Sequence, residues 1–137
     1  MEFITAEQFK EQSMEVQKIF IDWWQPSICD LYVYNDSPNK YRRFTEVDME
    51  DEYFNDFILY KNKMKITPLL TEGQLRKFIE DKIGVFLNIE IRNIGFIFWN
   101  FKISENGRRK LVEYNIIQED FNLLQAYWKV ACRLIEG

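Results

Sequence analysis

Aromatic side chains govern what this chain can fold into: 12 Phe, 7 Tyr and 4 Trp stand among its 137 residues. Each such ring buries on the order of 150–250 Å² when enclosed. A fold that left most of them in water would forfeit its main driving force. The chain must therefore build broad apolar faces and pack them together, and rings left at the surface are suited to holding a partner. Its length is that of a single domain, long enough to bury a core without disulfide or metal staples. Only 3 Pro and 5 Gly are present, which argues against disorder.

The same composition removes much chemistry. There is no histidine, the side chain that titrates nearest neutrality and the commonest metal ligand. Ser-His and Cys-His nucleophile pairs are thereby excluded. The chain also lacks a Gly-rich phosphate loop, a G-x-S-x-G elbow and a C-x-x-C pair. Cys29 and Cys132 lie far apart and match no metal-ligand spacing; two reduced, buried thiols are expected. A carboxylate pair can do acid–base work, but no second feature supports a reaction. The expectation is a protein that is not an enzyme and carries no metal or cofactor. The formal net charge is −4, from 18 basic and 22 acidic residues, so direct nucleic-acid binding through a basic face is not expected. No run approaches the roughly 18 apolar residues of a membrane span. The first nine residues lack the basic and apolar regions of a signal peptide, and the expected location is the cytoplasm.

Local patterns give the order of elements. Thr5 with Gln8 reads as a capping box opening a short helix that ends near Gln12. Ser13 opens a second helix, whose apolar face is Val16, Ile19, Phe20, Trp23 and Trp24 and which Pro26 stops. Trp23 and Trp24 are adjacent and point about 100° apart on a helix, so one of them is a candidate for a partner surface. Strands are expected at 29–35, 41–47 and 57–60, with a turn at 35–39, an acidic loop over 48–56 and a short extended piece at 65–67. Thr71 and Gln74 form the sharpest capping box, opening a helix over 72–83 that Gly84 closes. Alternation from Val85, an apolar run from Phe96 to Ile103 and the Asn106-Gly107 turn signal predict further strands, the last over 110–116. A broad apolar stripe predicts a final helix over 119–135. The sum is an α+β fold: one domain with a mainly antiparallel sheet of about five to six strands and N-terminal, central and C-terminal helices packed on it.

Two charge clusters stand out. Glu46, Asp48, Glu50, Asp51, Glu52 and Asp56 form an acidic run with no Lys or Arg between Arg43 and Lys61. It lacks the glycine of a calcium loop, and it reads either as a solvated loop or as carboxylates able to occupy a basic groove. Tyr53 and Phe54 lie within it as candidate anchors. Arg42 and Arg43 follow one predicted turn, and Arg108 and Arg109 another. Arginine suits bidentate contact with phosphate or carboxylate, so these four are the candidates for an anionic ligand such as a nucleotide.

Three stretches carry a resemblance: Glu15-Val16-Gln17 running into Asp22-Trp23-Trp24-Gln25-Pro26, then Pro68 through Lys82, then Leu123 through Ala131. In wording they resemble small uncharacterised phage and prophage proteins of Clostridium-like Firmicutes. The family brings no activity and no site residue. It implies a setting, a phage protein acting inside an infected cell. In that setting the leading expectation is a non-enzymatic accessory protein. It would bind and inhibit a host protein, a CRISPR or other anti-phage defence complex being the target class, by occlusion through the acidic and aromatic surface. A binder that sequesters a signalling nucleotide, and a phage structural or assembly protein that forms homo-oligomers, are the alternatives.

Overall fold

The computed structural model describes residues 2–84, 88–92, 95–103, 109–117 and 122–136. The chain divides into two compact units, Phe3–Leu70 and Thr71–Gly137, each α+β and each holding a three-stranded antiparallel sheet. The expected single sheet of five to six strands is thus replaced by two small ones. The break falls between Leu70 and Thr71, two residues past the end of a strand and at the start of a capping box.

In the first unit, helix α1 (Ala6–Lys10) is capped by Thr5, whose hydroxyl accepts from the Gln8 N–H at 3.1 Å. Helix α2 (Met14–Trp23) is capped by Ser13, whose hydroxyl accepts from the Val16 N–H at 3.2 Å. These caps satisfy N–H groups that the first turn of a helix leaves unpaired. Strand β1 (Leu31–Tyr34) is central, with β2 (Arg42–Arg43) and β3 (Ile66–Pro68) on its two sides. Pro68 sits on an edge strand, where its missing N–H costs no ladder bond.

The largest departure from expectation lies between β2 and β3. Residues 48–56 are not a loop and 57–60 are not a strand. A 3₁₀ turn (Val47–Met49) leads into helix α3 (Asp51–Asn62). Phe54, Phe57 and Lys61 fall at i, i+3 and i+7, so one side of α3 packs inward: Phe57 and Lys61 are buried and Phe54 half-buried. Asp51 and Glu52 occupy the first turn and Lys61 the last, the polarity that the helix dipole favours. The four-residue run Phe57–Tyr60 carries β propensity, and a run that short does not separate strand from helix by pattern. Tertiary packing decides it here.

The core of this unit is aromatic. Trp24, Tyr32, Phe44, Phe57 and Ile66 form one buried cluster. Phe57 meets Tyr32 and Phe44 edge to face, each with ring centroids 4.9 Å apart. Trp24 is buried, and its indole N–H donates to Asp30 at 3.0 Å. Trp23 is half-buried and packs against the same cluster. The adjacent pair therefore splits into one core ring and one at the core's margin, as a 100° step requires.

In the second unit, helix α4 (Glu72–Ile83) has the full capping box. The Gln74 N–H donates to the Thr71 hydroxyl at 3.4 Å, and the Thr71 N–H donates to the Gln74 side chain at 2.9 Å. Gly84 closes it at φ +77°, a conformation without penalty only for glycine. Strands β4 (Asn88–Arg92), β5 (Gly95–Ile103) and β6 (Arg109–Ile117) form a meander in that order. The Asn106-Gly107 turn signal lies outside the described residues. Helix α5 (Leu123–Glu136) is capped by Asn122 and buries Leu124, Tyr127, Trp128, Val130 and Ala131. Phe98 of β5 packs on Tyr127, centroids 5.1 Å apart.

Candidate functional site

Two features of the first unit gather side chains at the margin of the core and beyond it. The first is the outer side of α3 with the turn before it. Glu46, Glu50, Asp51, Glu52, Tyr53 and Asp56 are exposed. None of their carboxylates pairs with a Lys or Arg among the described residues. Glu52, Asp56 and Leu59 fall at i, i+4 and i+7. Tyr53, Asp56 and Tyr60 fall at i, i+3 and i+7. Residues at these spacings share a helix face, so carboxylates and exposed apolar side chains interleave along one stripe. Val47 and Met49 in the preceding turn are exposed as well.

Two residues of the acidic run serve the fold. Asp48 accepts from the Thr45 N–H at 2.8 Å and from its hydroxyl at 3.0 Å, holding the 3₁₀ turn. Phe54 packs into the aromatic cluster, 6.4 Å from Phe44, and is not an open anchor.

The second feature is a cleft of about 800 Å³ between the β1–β2 turn, Arg42 and the C-terminal end of α3. Its aromatic wall is Tyr34 and Tyr60, edge to face at 6.3 Å. The Arg42 guanidinium lies 4.9 Å from the Tyr34 ring centre, and the Lys65 ammonium lies 6.0 Å from that of Tyr60. Neither cation forms an ion pair with a carboxylate among the described residues, and the Arg42 Nε–H is enclosed without an acceptor. Asp36 and Ser37 line the cleft as well. Asn35 holds the walls together. Its backbone N–H donates to Lys65 O at 2.9 Å, its amide nitrogen donates to Met64 O at 2.8 Å, and its amide oxygen accepts from Thr67 at 2.6 Å. Met64, at φ +57°, makes the sharp turn that brings Lys65 back to β1.

Of the four candidate arginines, Arg42 alone lines this cleft. Arg43, its neighbour on β2, is exposed and points to the other side, as strand alternation demands. Arg109 opens β6 in the other unit, and Arg108 lies outside the described residues. Tyr34, Asn35, Tyr60 and Lys65 were not legible as site residues. The usable signal was the Asn35–Asn39 turn, which folds β2 back beside Tyr34.

One thiol differs from expectation. Both are free, but Cys29 is exposed at a turn with φ +79°, while Cys132 is buried in α5. Burial pushes the Cys132 thiol up to about 12 and the Tyr32 hydroxyl well above its ordinary range. Lys61 is pulled below the usual lysine range by burial, opposed by the nearby charge of Asp22. Among the described residues no three His, Cys, Asp or Glu side chains gather to hold a metal ion, and no helix is long and apolar enough to cross a membrane.

Comparison with protein-family models, curated proteins and solved structures finds no match.

Proposed function

We propose that this protein works by contact. The stripe on α3 and the turn before it engages a basic surface of a host protein. The observation that carries this reading is the set of exposed carboxylates at Glu46, Glu50, Asp51, Glu52 and Asp56, without ion-pair partners among the described residues and interleaved with Tyr53 and Leu59. A core-facing role accounts for Phe54, Phe57 and Lys61 but for none of these. Glu52 and Asp56, one turn apart on α3, stand about 5–6 Å apart, a spacing that lets them face cations arranged to receive a phosphate backbone. Complementary charge speeds encounter and fixes register, while Tyr53 and Leu59 supply apolar anchors. A nucleic-acid-guided defence effector has such a groove, and the resemblance to phage proteins supplies the setting. The chain would act as an anti-CRISPR-like inhibitor by occlusion.

The test is a plating assay on cells carrying active CRISPR immunity. Expression of the chain should restore phage plating. The variant Glu50→Gln, Asp51→Asn, Glu52→Gln, Asp56→Asn should not, at equal protein level. Full immunity in the presence of the wild-type chain, or equal rescue by the variant, would contradict the proposal.

A further inference from the structure

We infer that the cleft bounded by Tyr34, Tyr60, Arg42 and Lys65 binds an anionic ligand bearing a planar ring, of the nucleotide class. The site shares Tyr60 with the α3 stripe but uses none of its carboxylates, so it does not depend on the acidic surface.

The argument begins with the cations. A guanidinium drawn partly out of water is costly unless charge or hydrogen bonding compensates it. Arg42 has one enclosed donor without an acceptor and no carboxylate partner among the described residues. The Tyr34 ring compensates it in part. Lys65 enters the same cleft, again beside a ring rather than a carboxylate. Two cations held on aromatic faces, with their anionic valence unspent, form a receptor for phosphate oxygens, for which the planar fork of arginine is suited.

The rings supply the second half. Tyr34 is backed by Tyr32, edge to face at 5.7 Å, and meets Tyr60 edge to face in turn, so the exposed ring is Tyr60, and the base stacks against its open face. Asp36 and Ser37 complete the lining. The Asp36 carboxylate disfavours any phosphate but accepts from a ribose hydroxyl or an exocyclic amine, a contact that a nucleotide makes and an inorganic anion does not. The three hydrogen bonds of Asn35 hold the backbone at Met64 and Lys65 beside β1 before any ligand arrives, which fixes where the Lys65 side chain starts and lowers part of the ordering cost of binding. The volume, about 800 Å³, lies within the ordinary range of small-molecule sites.

The test is titration calorimetry of the full chain with AMP, GMP and cyclic diadenylate, alongside adenosine and inorganic phosphate. At least one nucleotide should bind, with adenosine and phosphate each weaker by tenfold or more. Lys65→Gln, at an exposed position, and Arg42→Gln should each weaken the nucleotide by about tenfold, with circular dichroism unchanged. If Arg42→Gln does not fold, Lys65→Gln still decides. The four-carboxylate variant of α3 should bind the nucleotide as the wild type does, so the two readings fail separately. No heat with any nucleotide at millimolar concentration overturns the inference. So does equal binding of adenosine, equal binding of phosphate, or nucleotide binding indifferent to Lys65→Gln.

Discussion

At the scale of single residues, the two cysteines show how burial sets chemistry. Cys29 is exposed at a turn, and Cys132 is enclosed in α5 with its thiol held at about 12. Thiolate is the reactive form. Native protein treated with iodoacetamide near neutral pH should therefore be alkylated once, at Cys29, and a second time only in denaturant. Mass spectrometry reads the count, and two rapid additions to the folded chain would contradict the burial. The same shift has a sign in stability. The unfolded thiol loses its proton near its ordinary value of 9.0, while the folded one keeps it to about 12. Between these values the unfolded state binds fewer protons, so stability falls as pH rises through that window. Tyr32, also raised by burial, adds to the fall in the same direction. Cys132→Ala should lose less melting temperature than the wild type between about pH 9 and about pH 11, and an equal loss would contradict the assignment.

At the scale of elements, helix α4 was legible in detail and helix α3 was not, and the contrast is physical. The Thr71–Gln74 box and Gly84 are local: each works through hydrogen bonds or backbone conformation within a few residues, so sequence displays them. Thr71→Ala should cost about 1 kcal/mol of stability in denaturant titration, while an unchanged midpoint would mean that the box is idle. Helix α3 has no side-chain cap at Glu50, and its inward stripe of Phe54, Phe57 and Lys61 includes a lysine. Its identity comes from where Phe57 lands, edge to face with Tyr32 and Phe44, which is tertiary information. Phe57→Ala should cost about 3–5 kcal/mol and strip helical signal from this segment. A loss under 1 kcal/mol would mean the aromatic cluster does not hold α3 in place. The candidate sites divide in the same way. The acidic run was visible as charge, but which members are free and which serve the fold depended on the helix. Asp48 ties down a turn and Phe54 enters the core. Arg42 was visible as a cation, but its cleft is assembled from Tyr34, Tyr60 and Lys65, brought together by the Asn35 hydrogen bonds across 29 and 32 residues.

At the scale of the whole molecule, 23 aromatic residues (12 Phe, 7 Tyr and 4 Trp) and no histidine yield two compact α+β units rather than one larger sheet. The net charge of −4 is unevenly used: α4 pairs Arg76 with Glu80 and Lys77 with Asp81 along its own surface, whereas the carboxylates of the α3 stripe stand without partners among the described residues. That imbalance is the basis for reading α3 as the working surface. Its most direct test is the affinity of the purified chain for the partner it captures from a host lysate, measured by calorimetry at low and at high salt. The account predicts that the partner presents a basic groove. It further predicts that Glu50→Gln, Asp51→Asn, Glu52→Gln, Asp56→Asn together weaken binding by tenfold or more at low salt, and that the salt dependence flattens. Capture of no partner, or an affinity and salt dependence unchanged in that variant, would contradict it.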